Sequence, residues 1–253
     1  MLTAVKSIFT ILFFVILIPL SSKSEVNPIS YQSEYEVSLA TSDEVRLPGK
    51  TYVDQANGKL FIDWINNCEN SWVSNQRMMT RFVNSHGVGT LSEINYSLNE
   101  STNGSKMDFV LEVKENAELV ERTIGKAEKK KNLEVIFPNS DKDSLVLPKD
   151  VVFPHSFLVE ILKNLYGEKK LITKKVYEGT IPDKFFNISV FFTDKIVNES
   201  DNVMIEGIVN KFKKIRMSYY QDDSQTPIFE QTIHLNQQGV ASYFKYDYPE
   251  YSL

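Results

Sequence analysis

The chain has 253 residues, and its 28 Lys and Arg against 33 Asp and Glu give a formal net charge of −5 at pH 7. An acidic chain has no general electrostatic attraction to nucleic acid or to anionic lipid, so we expect no nucleic-acid partner. One cysteine and three histidines that lie far apart in the sequence are a poor basis for a four-ligand zinc site.

The amino end has the pattern of an export signal. Lys6 precedes an uncharged apolar run from Ile8 to Leu20, which is short for a bilayer span. Ser22 and Ser24 fit the small-x-small cleavage rule, so we predict a signal peptide over residues 1–24 and a single domain over residues 25–253. An uncleaved membrane anchor is the alternative. No cysteine directly follows the apolar run, so we do not expect a lipoprotein.

A period of two dominates the rest of the chain. "GKLFIDWIN" and "SKMDFVLEVK" place apolar side chains on one face and mostly polar ones on the other, as half-buried strands do. The same reading applies to "SEYEVSLA", "FNISVFFTDKIV", "VMIEGIVN", "KIRMSYYQ", "PIFEQTIHL" and "ASYFKYDY". Turn-type sequences, among them "DQANGK", "STNGS" and "NQQG", are predicted to separate the strands. The fold class is therefore mainly β, an antiparallel sandwich, barrel or wrapped sheet.

One segment follows a helical period instead. "PHSFLVEILKNLYG" (Pro154 to Gly167) begins with a proline and ends with a glycine, as amphipathic helices often do. Its apolar stripe has to be buried against the sheet. The stripe is either ordinary core packing or the lining of an apolar cavity, and its residues are Phe157, Leu158, Ile161, Leu162 and Leu165.

No catalytic motif is present. The chain has no G-x-S-x-G elbow, no phosphate-binding Walker loop and no H-E-x-x-H pair, and we expect no catalytic residues, bound metal or cofactor. A nucleophile pair between Cys68 and one of the histidines is conceivable, but no local pattern supports it.

An ordered set of short segments resembles one family. The set runs "YEVSLA", "ANGKLFIDWINNCENSW", "NESTNGSKMDF", "IGKAE", "LVLPKDVVFPHSFLVEILKNLYGEK", "KVYEGT" and "GVASYFKYDYPEYSL". It resembles the EipB family, periplasmic cell-envelope integrity proteins of alphaproteobacteria, over about residues 30 to 253. The residues that carry the resemblance as structural motif positions are Cys68, Trp72, Gly104, Pro148, Pro154 and Gly179.

This resemblance implies a β-spiral, a single large wrapped antiparallel sheet with the helix against its interior, similar to the lipoprotein carriers LolA and LolB. Family members also pair a cysteine at the position of Cys68 with a second cysteine near the carboxyl end. The second one is absent here, so no intrachain disulfide forms. We expect Cys68 to be a leftover partner, buried beside Trp72. An intermolecular disulfide is the alternative.

The resemblance also implies a non-enzymatic protein, soluble in the periplasm, that supports envelope integrity. Its interior is a candidate site for an apolar ligand or for a lipoprotein or peptide segment. A hydrolase of envelope polymers and a purely structural partner of an envelope protein complex are the alternatives. The identity of the ligand or partner and the oligomeric state are left open.

Overall fold

The computed structural model describes residues 26, 28–40, 51–138, 144–197, 208–221 and 224–253, and the predicted signal peptide lies outside them. These residues form thirteen strands and one α-helix. The first eight strands are β1 (Tyr31–Ser38), β2 (Val53–Asn66), β3 (Ser71–Asn84), β4 (Gly89–Ser101), β5 (Lys106–Glu115), β6 (Glu118–Lys129), β7 (Leu133–Ile136) and β8 (Leu145–Leu147). The helix α1 (Pro154–Leu165) follows, and then β9 (Leu171–Val176), β10 (Phe186–Val197), β11 (Phe212–Gln221), β12 (Phe229–Leu235) and β13 (Ala241–Asp247).

The predicted mainly β architecture with one helix is confirmed. The strands pair antiparallel in chain order, and the structure divides them into an eight-stranded sheet, β1 to β8, and a five-stranded sheet, β9 to β13. Buried and exposed side chains alternate along the strands, and this alternation favours one register of pairing. In β2, for example, Leu60, Ile62 and Trp64 all face the interior. The predicted strand "VMIEGIVN" falls mostly outside the described residues.

The prediction of a turn at "DQANGK" was wrong, because this segment runs inside the long strand β2. Gly58 pairs with Thr80 of β3, and a Cβ on Gly58 would lie 2.0 Å from the Met79 carbonyl oxygen. The glycine therefore allows two strands to approach closely, a role that glycine can have within strands as well as in turns.

Short contacts join the two sheets beside the helix. The Val152 N–H donates to the Lys175 carbonyl (2.8 Å), and the Tyr177 N–H donates to the Val152 carbonyl (2.9 Å). The segment that leads into α1 thus pairs with β9 and connects the last strand of the first sheet to the first strand of the second.

The helix lies against the second sheet. Its Phe157, Ile161, Leu162 and Leu165 are buried in one apolar cluster with side chains from β9 to β13. Pro154 is its first residue, as predicted, and removes an N–H that would otherwise lack a partner. The predicted end at Gly167 is two residues beyond the observed end at Leu165.

The helix amino terminus is capped by a carboxylate from a distant strand. Phe153 at the cap position offers no side-chain hydrogen bond. Glu100 of β4, fully buried, accepts hydrogen bonds from the His155 N–H (2.6 Å), the Ser156 N–H (3.0 Å) and the Ser156 hydroxyl (2.6 Å). Burial raises the pKa of Glu100, and these hydrogen bonds oppose that rise. The carboxylate also lies at the positive end of the helix dipole.

An aromatic stack holds the first turn of the helix against the first sheet. The His155 ring lies parallel to Trp72 of β3, with ring centroids 4.7 Å apart, and 6.0 Å from Trp64 of β2. Burial lowers the pKa of His155 from its ordinary 6.5 to about 4, so the ring is neutral at pH 7. The tryptophan of the Cys-x-x-x-Trp stretch therefore positions the helix.

Cys68 lies in the predicted turn, between β2 and β3, but the prediction that it is buried was wrong. Its side chain is exposed, and its φ of 60° places it in the left-handed region. The turn is held by its own asparagines and by a hydrogen bond from the Thr102 N–H to the Asn70 carbonyl (2.8 Å). The neighbouring β4–β5 turn therefore contacts this segment.

Replacing Glu100 by Ala should destabilise the protein by about 3 kcal/mol, because three buried donors at the helix start lose their acceptor. Thermal unfolding followed by circular dichroism measures this change. Glu128→Ala is the control, since it removes a surface carboxylate that pairs with Lys106 and Lys130, and its melting temperature should stay near that of the wild type. Equal melting temperatures for Glu100→Ala and the wild type would contradict this capping role.

Acid should destabilise the protein through His155. The folded pKa is below the unfolded one, so the unfolded chain binds more protons and stability falls as pH drops from 6.5 toward 4. At pH 5 this effect amounts to about 2 kcal/mol relative to pH 7. Urea unfolding at both pH values should show that His155→Phe, which keeps the stack and cannot ionise, loses this part of the pH dependence. The exposed His86→Phe should keep all of it.

Cys68 should react with a thiol reagent in the native protein about as fast as in urea, because its side chain is exposed. Native and denatured labelling rates, read by mass spectrometry, provide the comparison. Labelling that is slow only in the native state would show that the thiol is covered. A covalent dimer under non-reducing conditions that is absent in Cys68→Ala would show an intermolecular disulfide.

Candidate functional site: an apolar cavity with a lateral slot

A cavity of about 290 Å³ lies between the helix and the second sheet. Pro154, Phe157, Leu158 and Ile161 form its helical wall. The opposite wall comes from alternate residues of β11 to β13, namely Ile215, Met217, Ile233, Leu235, Ala241 and Phe244. Period two on the strands and period 3.6 on the helix thus aim two apolar faces at the same space.

The first sheet closes the cavity from the side. Ile62 and Trp64 of β2 and Tyr96 and Leu98 of β4 line this wall. All four are buried and belong to the inward-facing set of their strands. Both sheets and the helix therefore contribute to the cavity wall.

The predicted helical stripe divides into two groups. Phe157, Leu158 and Ile161 line the cavity, whereas Leu162 and Leu165 pack in the core outside its lining. The two interpretations that the sequence left open, core packing and cavity lining, therefore both describe part of the stripe.

A slot separates the two sheets on the side away from the helix connection. One edge is β1 and the other is β13, each paired with a neighbour on one side only. Hydrogen bonds close the slot at its ends, from the Ile29 N–H to the Gln238 carbonyl (3.0 Å) and from the Ala40 N–H to the Ser252 carbonyl (2.9 Å). Its volume is about 540 Å³.

The slot and the cavity share part of their lining. Ala241, Phe244 and Tyr246 of β13 line both spaces. Tyr35 of β1 crosses the slot, where its hydroxyl donates to the Ala241 carbonyl (2.7 Å) and its ring contacts Phe244 edge to face at 5.1 Å. A single side chain from each edge therefore separates the interior from the outside along this part of the slot.

Two tyrosines and one glutamine of the cavity lining form a hydrogen-bond network. The Tyr219 hydroxyl donates to the Gln231 side-chain oxygen (3.1 Å), and Tyr246 also hydrogen-bonds with Gln231. Burial raises the pKa of both tyrosines far above the ordinary range, so both phenols stay protonated. The resulting network is neutral.

Glu178 is the one carboxylate among the described residues that line the cavity. It lies in the connection after β9, and its backbone carbonyl accepts a hydrogen bond from the Tyr96 hydroxyl. Burial raises the pKa of its carboxyl to about 7. Gly179 beside it has a φ of +76°, and a Cβ there would lie 2.5 Å from the Phe109 ring. The glycine thus lets this connection lie against the first sheet.

The other predicted motif residues have structural positions. Gly104, with a φ of +65°, sits in the β4–β5 turn, where a Cβ would lie 2.4 Å from the Ser156 hydroxyl oxygen. The Pro148 carbonyl accepts from the Val151 N–H (3.2 Å) in the turn that leads to the helix. Both positions support the segment that carries the cavity-lining helix, and neither lines the cavity.

Sequence reasoning missed Glu100 and Glu178. A signal existed for Glu100, because Tyr96, Leu98 and Glu100 follow one another at period two on the inward face of β4. A charge at a core position of that pattern predicts a buried partner. Glu178 had no such signal, since "YEGT" lies between elements.

The described residues contain no group of three or more His, Cys, Asp and Glu side chains placed to hold a metal ion. In the same part of the chain, no helix has the length and apolar character required to cross a membrane. The described residues that line the cavity include no Ser, Cys, His or Lys, side chains that commonly act as a nucleophile or base.

Comparisons with known proteins identify the family. The sequence profile described as EipB-like matches residues 22–253. A crystal structure of a "Beta-barrel-like Protein of Domain of Unknown Function DUF1849" from Brucella abortus is similar to the chain with a TM-score of 0.81 and 17% sequence identity, covering 90% of this chain and 95% of that one. No curated protein matches. The predicted resemblance is confirmed, and the chain belongs to the EipB-like family.

Proposed function

We propose that this chain is a non-enzymatic periplasmic protein of the cell envelope that holds the apolar chain of an amphiphile in its interior. Membership of the EipB-like family supports an envelope-associated role. The predicted signal peptide over residues 1–24 supports export, with a mature protein that is soluble and lacks a lipid anchor.

The observation that carries the binding role is an apolar cavity that shares part of its lining with a slot at the surface. The helix and the strands that face it do not fill the interior, and about 290 Å³ lies between them. Three residues, Ala241, Phe244 and Tyr246, line both this cavity and the slot between β1 and β13. A single extended chain can enter through such a slot and leave its polar end near the protein surface.

The cavity suits one alkyl chain better than a folded partner. Its volume is at the small end of ligand pockets, which range from about 300 to 1,000 Å³. Each methylene buried there contributes about 0.8 kcal/mol, so a chain of moderate length gains enough free energy for stable binding. An apolar peptide segment held inside the cavity would also need acceptors and donors for its backbone, and the neutral network around Gln231 already uses its own.

The enzymatic alternative has less support. A hydrolase of envelope polymers needs a nucleophile and base, or two converging carboxylates, in a polar cleft. The described cavity-lining residues offer Glu178 alone. A purely structural partner in a protein complex would not need an interior cavity with an entrance.

The affinity for primary alcohols should rise with chain length. From octanol to nonanol to decanol, each added methylene should strengthen binding by about fourfold until the cavity is full, because it transfers about 0.8 kcal/mol of apolar surface from water. Isothermal titration calorimetry on the mature protein measures this series. Equal affinity for all three alcohols, or no binding of any, would contradict the proposal.

A variant that fills the cavity provides the control. Leu158→Trp places a larger side chain into the lining and should abolish alcohol binding, with the fold checked by circular dichroism. Leu171→Trp makes the same exchange at an exposed position of β9 and should bind as the wild type does. Undiminished binding to Leu158→Trp would place the alcohol elsewhere. Binding of an apolar peptide but of no alcohol would favour the peptide ligand.

A further inference from the structure

Glu178 is the lone carboxylate among the described residues that line the cavity, and Tyr96, Tyr219 and Tyr246 line it too. Its charge contributes to the raised pKa of all three phenols, which places them within electrostatic reach of the carboxyl.

The carboxyl has no partner among the described residues. The neighbouring Gln231 is occupied by Tyr219 and Tyr246, and the Tyr96 hydroxyl donates to the Glu178 backbone rather than to its side chain. Burial alone accounts for the pKa of about 7, with no contribution from a cation or a hydrogen-bond donor. Glu100, the other interior carboxylate described above, has three donors.

An unpartnered carboxyl inside an apolar cavity costs stability, whether it is ionised or protonated without an acceptor. A ligand that brings a positive charge and N–H donors removes that cost, because a charge-assisted hydrogen bond is strongest where water is excluded. A ligand with an anionic end meets repulsion at the same place. The choice of the polar end of the ligand therefore depends on Glu178.

We propose that the cavity binds amphiphiles whose polar end is a protonated amine, with the Glu178 carboxylate holding the ammonium group and the apolar walls holding the alkyl chain. This assignment rests on the proposed function above, since it concerns the same cavity. It adds the class of ligand: cationic, amine-ended and single-chained, in preference to fatty acids and neutral alcohols.

The test compares decylamine, decanol and decanoate, which share an alkyl chain and differ in their polar end. Calorimetric titration at mildly alkaline pH keeps Glu178 ionised, while the amine, with an ordinary pKa of about 10, is still protonated. We expect wild-type protein to bind decylamine at least about tenfold more tightly than decanol. Decanoate should bind more weakly than decanol.

Glu178→Gln is the variant that isolates the carboxylate. It should lose the preference for decylamine, so that decylamine and decanol bind to this variant with affinities within about twofold of each other. Glu118→Gln makes the same exchange at an exposed position at the start of β6 and should keep the preference. The wild-type comparison alone remains decisive if Glu178→Gln fails to fold.

Equal binding of decylamine and decanol by the wild type, or a preference for decanoate, would overturn the ammonium site and leave the proposed alkyl-binding function standing. A decylamine preference that persists in Glu178→Gln would also overturn it. Binding of none of the three compounds would overturn both the ammonium site and the proposed function.

Discussion

The buried carboxylate of Glu100 fixes the start of the helix, and the interior depends on that point. A helix with an apolar stripe and no fixed end would pack wherever it buried the most surface. Here three hydrogen bonds to one strand, together with the His155 ring against Trp72, set the helix at one end. The stripe packs on the second sheet, with Leu162 and Leu165 in the core away from the cavity. Phe157 and Ile161 belong to the same core cluster and, with Leu158, also line the cavity.

Two sheets that stay separate on one side leave a slot beside this space. The contacts around Val152 join the sheets beside the helix. On the side of β1 and β13, the described residues join the sheets through hydrogen bonds of the flanking segments and through Tyr35. A closed barrel would have no free strand edges. Free strand edges at the slot fit the proposal that an alkyl chain enters the protein from this side. The unpartnered Glu178 then favours a ligand whose polar end is cationic.

The sequence predicted what local patterns determine. Alternating apolar and polar residues located the strands around Leu60 and Phe109, and apolar residues at every fourth position from Phe157 located the helix. The predicted turn at Gly58 was wrong, because a glycine that allows close strand pairing has the same local sequence pattern as a turn glycine. The predicted burial of Cys68 was wrong, because burial depends on which distant segment covers a turn. The cavity and Glu178 could not be predicted, since they arise where β4, β11, β13 and the helix meet, and no local period encodes that meeting.

We propose that the space between the helix and the two sheets is a site for an alkyl chain. The most direct measurement is anomalous diffraction from crystals of the mature protein grown with a primary alcohol that carries bromine at the far end of its chain. A bromine peak is expected between Ile161 of the helix and Met217 of β11, with the helix unmoved. Bromine found only on the outer surface, or a helix that shifts to fill the space, would contradict it.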